Sequence, residues 1–104
     1  MINRFKNLLG IGTKTDCAQL MKAGAVIIDV RSNEEFAGGH IKGSINIPLD
    51  QLRNNLDKFK DKSRPIITCC ASGMRSSSAK SLLKSSGYVK VYNGGGWNSL
   101  QNKL

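Results

Sequence analysis

Short β-branched runs recur along this chain, with helical stretches between them. "AVIIDV" (25–30) and "PIITCC" (65–70) are apolar at successive positions, so an extended backbone there needs cover on both faces. "YVKVYN" (88–93) reads as a third strand, and "SINIP" (44–48) as a shorter fourth ended by Pro48. Between them, "TDCAQLMKAG" begins at Thr15 or Asp16 as a cap and stops at Gly24. "LDQLRNNLDKFK" sets Leu49, Leu52, Leu56 and Phe59 on one helical face. "SSSAKSLLKSSG" starts in serines and ends at Gly87, and "NSLQNKL" closes the chain. Strands alternating with helices predict an α/β domain with a largely parallel sheet.

At 104 residues, the chain has the length of one domain and is too short for two, so residues 1–104 read as a single domain. Hydrophobic residues at 39% and charged ones at 22% exclude a disordered chain. No apolar run approaches the ~18 residues that span a bilayer. The start, "MINRFKNLLGIG" (1–12), is basic, but its apolar run falls short of the ~7–15 residues of a secretory core, with no small-residue cleavage site after it. The expectation is a cytoplasmic protein with no membrane attachment. Residues 1–12 form an N-terminal extension: Ile2, Phe5, Leu8 and Leu9 share one helical face and predict an extra helix over the core.

Cys17, Cys69 and Cys70 are odd in number, two are adjacent, and none has C-x2-C spacing. That excludes a disulfide framework and a zinc site, and predicts free thiols with no metal. Charge is lopsided. All seven carboxylates lie at or before Asp61, so residues 62–104 carry formal +7 against +2 for the rest. A field of that sign attracts small anions and favours an ionised thiol. Aromatics at 6%, with no basic helix or stacking motif, predict no nucleic-acid partner.

"PIITCC" runs into "ASGM" and then a serine-led helix. Ligands of such sheets sit beyond the carboxyl ends of the strands. There the loop amides and the free first-turn N–H groups of a helix can aim at one point. Residues 71–76 (Ala71, Ser72, Gly73, Met74, Arg75, Ser76) include no proline, so each offers a donor. Side chains alternate along a strand, so Cys69 and Cys70 cannot both face the loop. From Cys70 the pattern is C-x-x-G-x-R-S, a tight loop for one sulfur-sized anion. From Cys69 it is C-x5-R, the length of a phosphatase phosphate loop with its glycine one place late. Cys69 is more simply a buried residue ending the strand.

"IIDVRSNEEFAGGHIKGSINIPL" (27–49), followed by "CASGMRS", resembles the single-domain rhodaneses, thiosulfate sulfurtransferases, across residues 13–104. The resemblance implies a small parallel sheet flanked by helices on both faces. It implies that Cys70 carries sulfur as a persulfide, with Arg75 and the loop amides holding that sulfur. A thiosulfate-like donor and a thiol or cyanide acceptor are then the partners, and no cofactor is implied. Two departures stand out: Trp97 sits close to the glycines of "NGGGWN", and Cys69 replaces an aromatic or aliphatic residue.

Sulfur transfer needs a thiolate, and an unperturbed thiol near pKa ~8.5 is only a few per cent ionised at neutral pH. Sulfite and thiolates leave as anions, so no acid is required. A cysteine protease would need a histidine by the thiol, and the sole candidate, His40, reads as structural. A phosphatase or arsenate reductase of the same fold, built on Cys69 or Cys70, is the alternative enzyme; a phosphatase also needs an acid for its leaving oxygen. A non-catalytic binding module is the third reading, and a retained cysteine and arginine argue against it. Arg31 and Glu35, four apart, are expected to pair as a brace. Asp29 is expected to bond backbone amides, Ser72 to cap a helix or face the sulfur, and Met74 to form an apolar rim.

Overall fold

The computed structural model describes residues 16–104, so the helix expected within residues 1–12 lies outside the described residues. Helix α1 (Cys17–Lys22) starts where the Asp16 carboxylate accepts the Gln19 N–H at 3.1 Å, satisfying a first-turn donor. It is followed by β1 (Val26–Asp29), α2 (Asn33–Ala37) and β2 (Ile45–Asn46). Next come α3 (Leu49–Leu52), which runs on as a 3-10 turn over Arg53–Lys58, and β3 (Ile66–Cys70). Helix α4 (Met74–Ser85), β4 (Val91–Gly96) and α5 (Trp97–Gln101) complete the chain. The four strands pair in the order β2-β1-β3-β4, every pair parallel.

Alternation along the strands divides the interior. Val26, Ile28 and Val30, with Ile66 and Cys70, face a core closed by Leu52, Ala79 and Leu83 of α3 and α4. Ile27, Ile67 and Cys69 face the opposite core, closed by Cys17 of α1 and Leu100 of α5. The sheet is covered on both faces, as expected. Among the described residues, no helix is long and apolar enough to cross a membrane.

Several boundaries differ from the sequence reading, and three have a clear physical cause. The amphipathic stretch 49–59 is two pieces. Asn55 leaves helical space (φ −122°, ψ 15°), and its side-chain amide donates to the Gln51 carbonyl at 2.7 Å, competing with the ladder. Its apolar face survives, with Leu52 and Phe59 buried. Strand β4 begins at Val91 because Tyr88 belongs to the end of α4. The Tyr88 N–H donates to the Leu83 carbonyl at 3.1 Å past Gly87 in the left-handed region (φ +101°), a Schellman closure. Helix α4 starts two residues before the serines, at Met74, which shortens the loop after β3 to residues 71–73.

Candidate active site

Strand order places β1 and β3 side by side at the centre, and their carboxyl ends open where the chain direction switches, since β1 leads to β2 on one side and the next strand returns on the other. Cys70, last in β3, turns toward α4. Around its sulfur, the Gly73 N–H donates at 3.0 Å and the Ser76 N–H at 3.3 Å. The thiol itself donates to Ser76 Oγ at 3.4 Å. Gly73 makes this convergence possible: at φ +102° it caps α4 and folds its own N–H back onto the preceding strand end. Burial pushes the Cys70 thiol up, but the Ser76 hydroxyl and the N–H groups of Ser76, Gly73 and Ser72 outweigh it, leaving the thiol below its ordinary range. Ala71, Met74 and Arg75 make no hydrogen bond to this sulfur; Ala71 and Met74 are exposed at the rim.

Cys69 faces the other core, fully buried, and burial first, then the nearby Asp29 charge, push its thiol up to about 12. It cannot head the longer loop. Cys17 packs in the same core, and burial raises its thiol too. All three cysteines are free.

The arginines have partners other than those expected. Arg31, 4% exposed, lays its guanidinium on the Asp29 carboxylate at 2.8–3.0 Å and donates to the Gly39 carbonyl at 2.7 Å. It also stacks 4.7 Å over the Trp97 ring, tying the end of β1 to α5. Toward Glu35 it reaches only the main-chain carbonyl, at 3.3 Å. The Glu35 carboxylate instead grips Arg75 with two bonds, at 2.7 and 3.0 Å. That guanidinium pulls Glu35 down to about 2, helped by the Ser32 N–H. Arg75 therefore closes the site against α2 rather than pointing freely into the loop, while its charge still senses Cys70. His40 Nδ1 donates to the Phe36 carbonyl, 2.8 Å away, and its ring stacks on the Phe36 ring, a structural placement.

One contributor was read from the sequence with a different partner, and one was not foreseen. Glu35 enters through α2, whose capping box is written as Ser32-x-x-Glu35, a signal that was present. Asn93 of β4 accepts from Ser76 Oγ at 2.6 Å and from the Gly95 N–H at 2.9 Å, and donates to the Gly73 carbonyl at 3.2 Å. No spacing marks it. The neighbouring glycines let β4 press on the loop: a Cβ at Gly96 would stand 3.0 Å from the Ala71 carbonyl oxygen. Beside the loop, an open cleft of about 370 Å³ is lined by Val30, Ser32, Pro48, Leu49, Asp50 and Arg75. No cluster among the described residues could hold a metal ion.

Comparison with known proteins agrees with this fold. Residues 13–103 match the family model described as a rhodanese-like domain. The thiosulfate sulfurtransferase PspE of Escherichia coli strain K12 is 37% identical over 70 residues, 66% of this chain and 67% of the relative. Uncharacterized protein YqhL of Bacillus subtilis strain 168 is 37% identical over 83 residues, 77% of this chain and 65% of the relative. The chain thus spans about two thirds of the length of these curated relatives. The solved structure of a human single-domain sulfurtransferase superimposes with a TM-score of 0.73 at 29% identity, covering 85% of this chain and 91% of that one.

Proposed function

This chain belongs to the rhodanese-like domain family, and from that premise we propose that it is a single-domain sulfurtransferase that carries sulfane sulfur on Cys70. The observation behind this reading is the convergence of two N–H groups and a hydroxyl on one sulfur, beside a core that shields it. The thiolate attacks the outer sulfur of a donor such as thiosulfate; the Sγ–S bond forms, the donor's S–S bond breaks, and sulfite leaves with the electron pair. An acceptor thiolate or cyanide then attacks the outer sulfur of the persulfide, and Cys70 leaves as a thiolate. Neither displacement needs an external oxidant or acid.

The outer sulfur lies one bond further into the loop than Sγ, where the amides not yet spent on Sγ, those of Ala71, Met74 and Arg75, serve it. Cys70 is 1% exposed, so a donor reaches the sulfur only when the rim of residues 71–74 yields. The exposed side chains of Ala71, Ser72 and Met74 leave that rim free to do so. The cleft beside Arg75 is the approach for a small thiol acceptor, and its guanidinium attracts an anionic donor. Three free thiols suit a reducing compartment, and we place the protein in the cytoplasm as one domain.

A phosphatase reading needs Cys69 in the loop or an acid at the leaving oxygen. The buried thiol faces away, and Glu35 is held ionised by Arg75. The decisive experiment incubates the reduced protein with thiosulfate and follows intact mass. We expect a gain of one sulfur atom, removed by cyanide, lost in Cys70→Ser and kept in Cys69→Ser. Cleavage of an aryl phosphate or reduction of arsenate through Cys69 would overturn the proposal. So would a Cys70 inert toward sulfane donors in a protein that binds a partner tightly.

A further inference from the structure

Ser76 is wholly buried, and its single hydroxyl hydrogen has three neighbours to choose from. Asn93 Oδ1 lies 2.6 Å away, the Gly73 carbonyl 3.1 Å and Cys70 Sγ 3.4 Å. The Asn93 carboxamide cannot be turned over. Its Nδ2 faces the Gly73 carbonyl at 3.2 Å and its Oδ1 faces the Gly95 N–H at 2.9 Å. Reversing it would set two acceptors against each other and two donors against each other. Oδ1 is therefore what Ser76 meets, and it is the nearest of the three acceptors. While Cys70 is a thiol, its S–H donates to Ser76 Oγ, and the hydroxyl hydrogen rests on Asn93. A thiolate has no hydrogen to donate and calls for one, so the hydroxyl must turn.

We propose that Asn93 is a positioning residue for Cys70, holding the Ser76 hydroxyl hydrogen while Sγ is neutral and yielding it when Sγ carries charge. Asn93 Oδ1 keeps the Gly95 N–H throughout, so the turn strands no polar group. In sulfur transfer, Sγ is neutral in the thiol and also in the persulfide, whose charge sits on the outer sulfur. It is charged just before attack on the donor and again as the leaving group. The hydroxyl follows that charge, and no covalent bond to Asn93 or Ser76 forms or breaks. Asn93 thereby opposes ionisation of the resting thiol, while Ser76 supports the leaving thiolate.

Among the described residues, the other ionisable groups that sense Cys70 are Cys69, behind it on β3, and Arg75 on α4. Arg75 is bound by Glu35 of α2, and Asp29 of β1 by Arg31. Neither can supply a hydrogen to Sγ in place of Ser76. Asn93 is exposed, so replacing it leaves no buried void.

This inference rests on Cys70 being the reacting thiol. Its test is the pH dependence of iodoacetamide alkylation at Cys70, assigned by fragment mass. Alkylation reads the thiolate whether or not sulfur is transferred, so it can fail while the thiosulfate experiment succeeds, and the reverse. Asn93→Ala should lower the alkylation midpoint by about half a pH unit or more, the scale of a redirected charge-assisted hydrogen bond. Ser76→Ala should raise it, and adding Asn93→Ala to Ser76→Ala should then change nothing. Asn93→Ser, which is neutral and too short to hold the Ser76 hydroxyl hydrogen, should lower the midpoint likewise and serves if the alanine variant fails to fold. An Asn93→Ala shift of equal size with and without the Ser76 hydroxyl would overturn the proposal, as would a rise or an unmoved midpoint. An unmoved midpoint in Asn93→Ser would do the same.

Discussion

Gly73 carries two duties at one backbone position. Its φ of +102° starts α4 without a side-chain cap, and the same turn sends its N–H to Cys70 Sγ at 3.0 Å. An L side chain pays for that conformation with a clash between Cβ and the following carbonyl, about 1–2 kcal/mol. The added methyl would also touch Gly95 Cα at 3.4 Å. Gly73→Ala should therefore lower the urea midpoint by that order and, by misaiming the N–H, raise the pH of half-maximal Cys70 alkylation. Both are read on one purified variant, and an unchanged alkylation profile would separate the turn from the thiol. At this scale the sequence was informative where neighbours are local. C-x-x-G-x-R-S marked the turn; strand alternation allowed only one cysteine into it, and the spacing favoured Cys70. It was silent where the partner comes from afar: Glu35 meets Arg75 across 40 positions, and Asn93 meets Ser76 across 17. No local pattern encodes such a meeting, because the sheet order creates it.

Helix α2 has no buried residue of its own and is held by its ends. Ser32 and Glu35 cap it reciprocally, and the same Glu35 carboxylate ties it to the first turn of α4 through Arg75. The carboxyl is held at about 2 in the folded chain against an ordinary 4.5. A folded-state value below the unfolded one means stability that is complete above pH 4.5 and fades as pH falls toward 2. Glu35→Gln should remove this part of the acid dependence, so the wild-type and variant urea midpoints converge as pH drops through that window. Because both side chains are 38% exposed, the difference should be modest and shrink in high salt. The sequence reading paired Glu35 with Arg31 by helical spacing and so missed why this short helix exists. The larger elements were legible because their apolar spacing is dictated by burial. Gly87 as the stop of α4 was legible too; the break at Asn55 and the place of Tyr88 in the helix end were not, since both depend on a single side chain or carbonyl finding a partner.

One sheet separates two cores, and adjacent residues therefore belong to different packing units. Ile27 and Ile28 are neighbours in sequence, both essentially unexposed, yet they sit in opposite clusters. Ile66 and Val91 are far apart in sequence but lie directly opposite each other in the β3–β4 register and in the same cluster. If packing rather than proximity along the chain governs coupling, the two pairs must behave differently. Ile27→Val and Ile28→Val should each cost about 0.5–1.5 kcal/mol. Their double variant should equal the sum to within about 0.3–0.5 kcal/mol, because the two removed methyls share no neighbour. Ile66→Val and Val91→Ala remove atoms from one contact, so their combined cost should depart from the sum by about 0.5 kcal/mol or more. Equilibrium urea unfolding of the six variants measures both cycles, with a constant denaturant slope as the sign that the two cores still melt as one unit. Coupling in the first pair as large as in the second would mean that strain crosses the sheet. In that case a change in the α1–α5 core would reach Cys70 on the other face through β3.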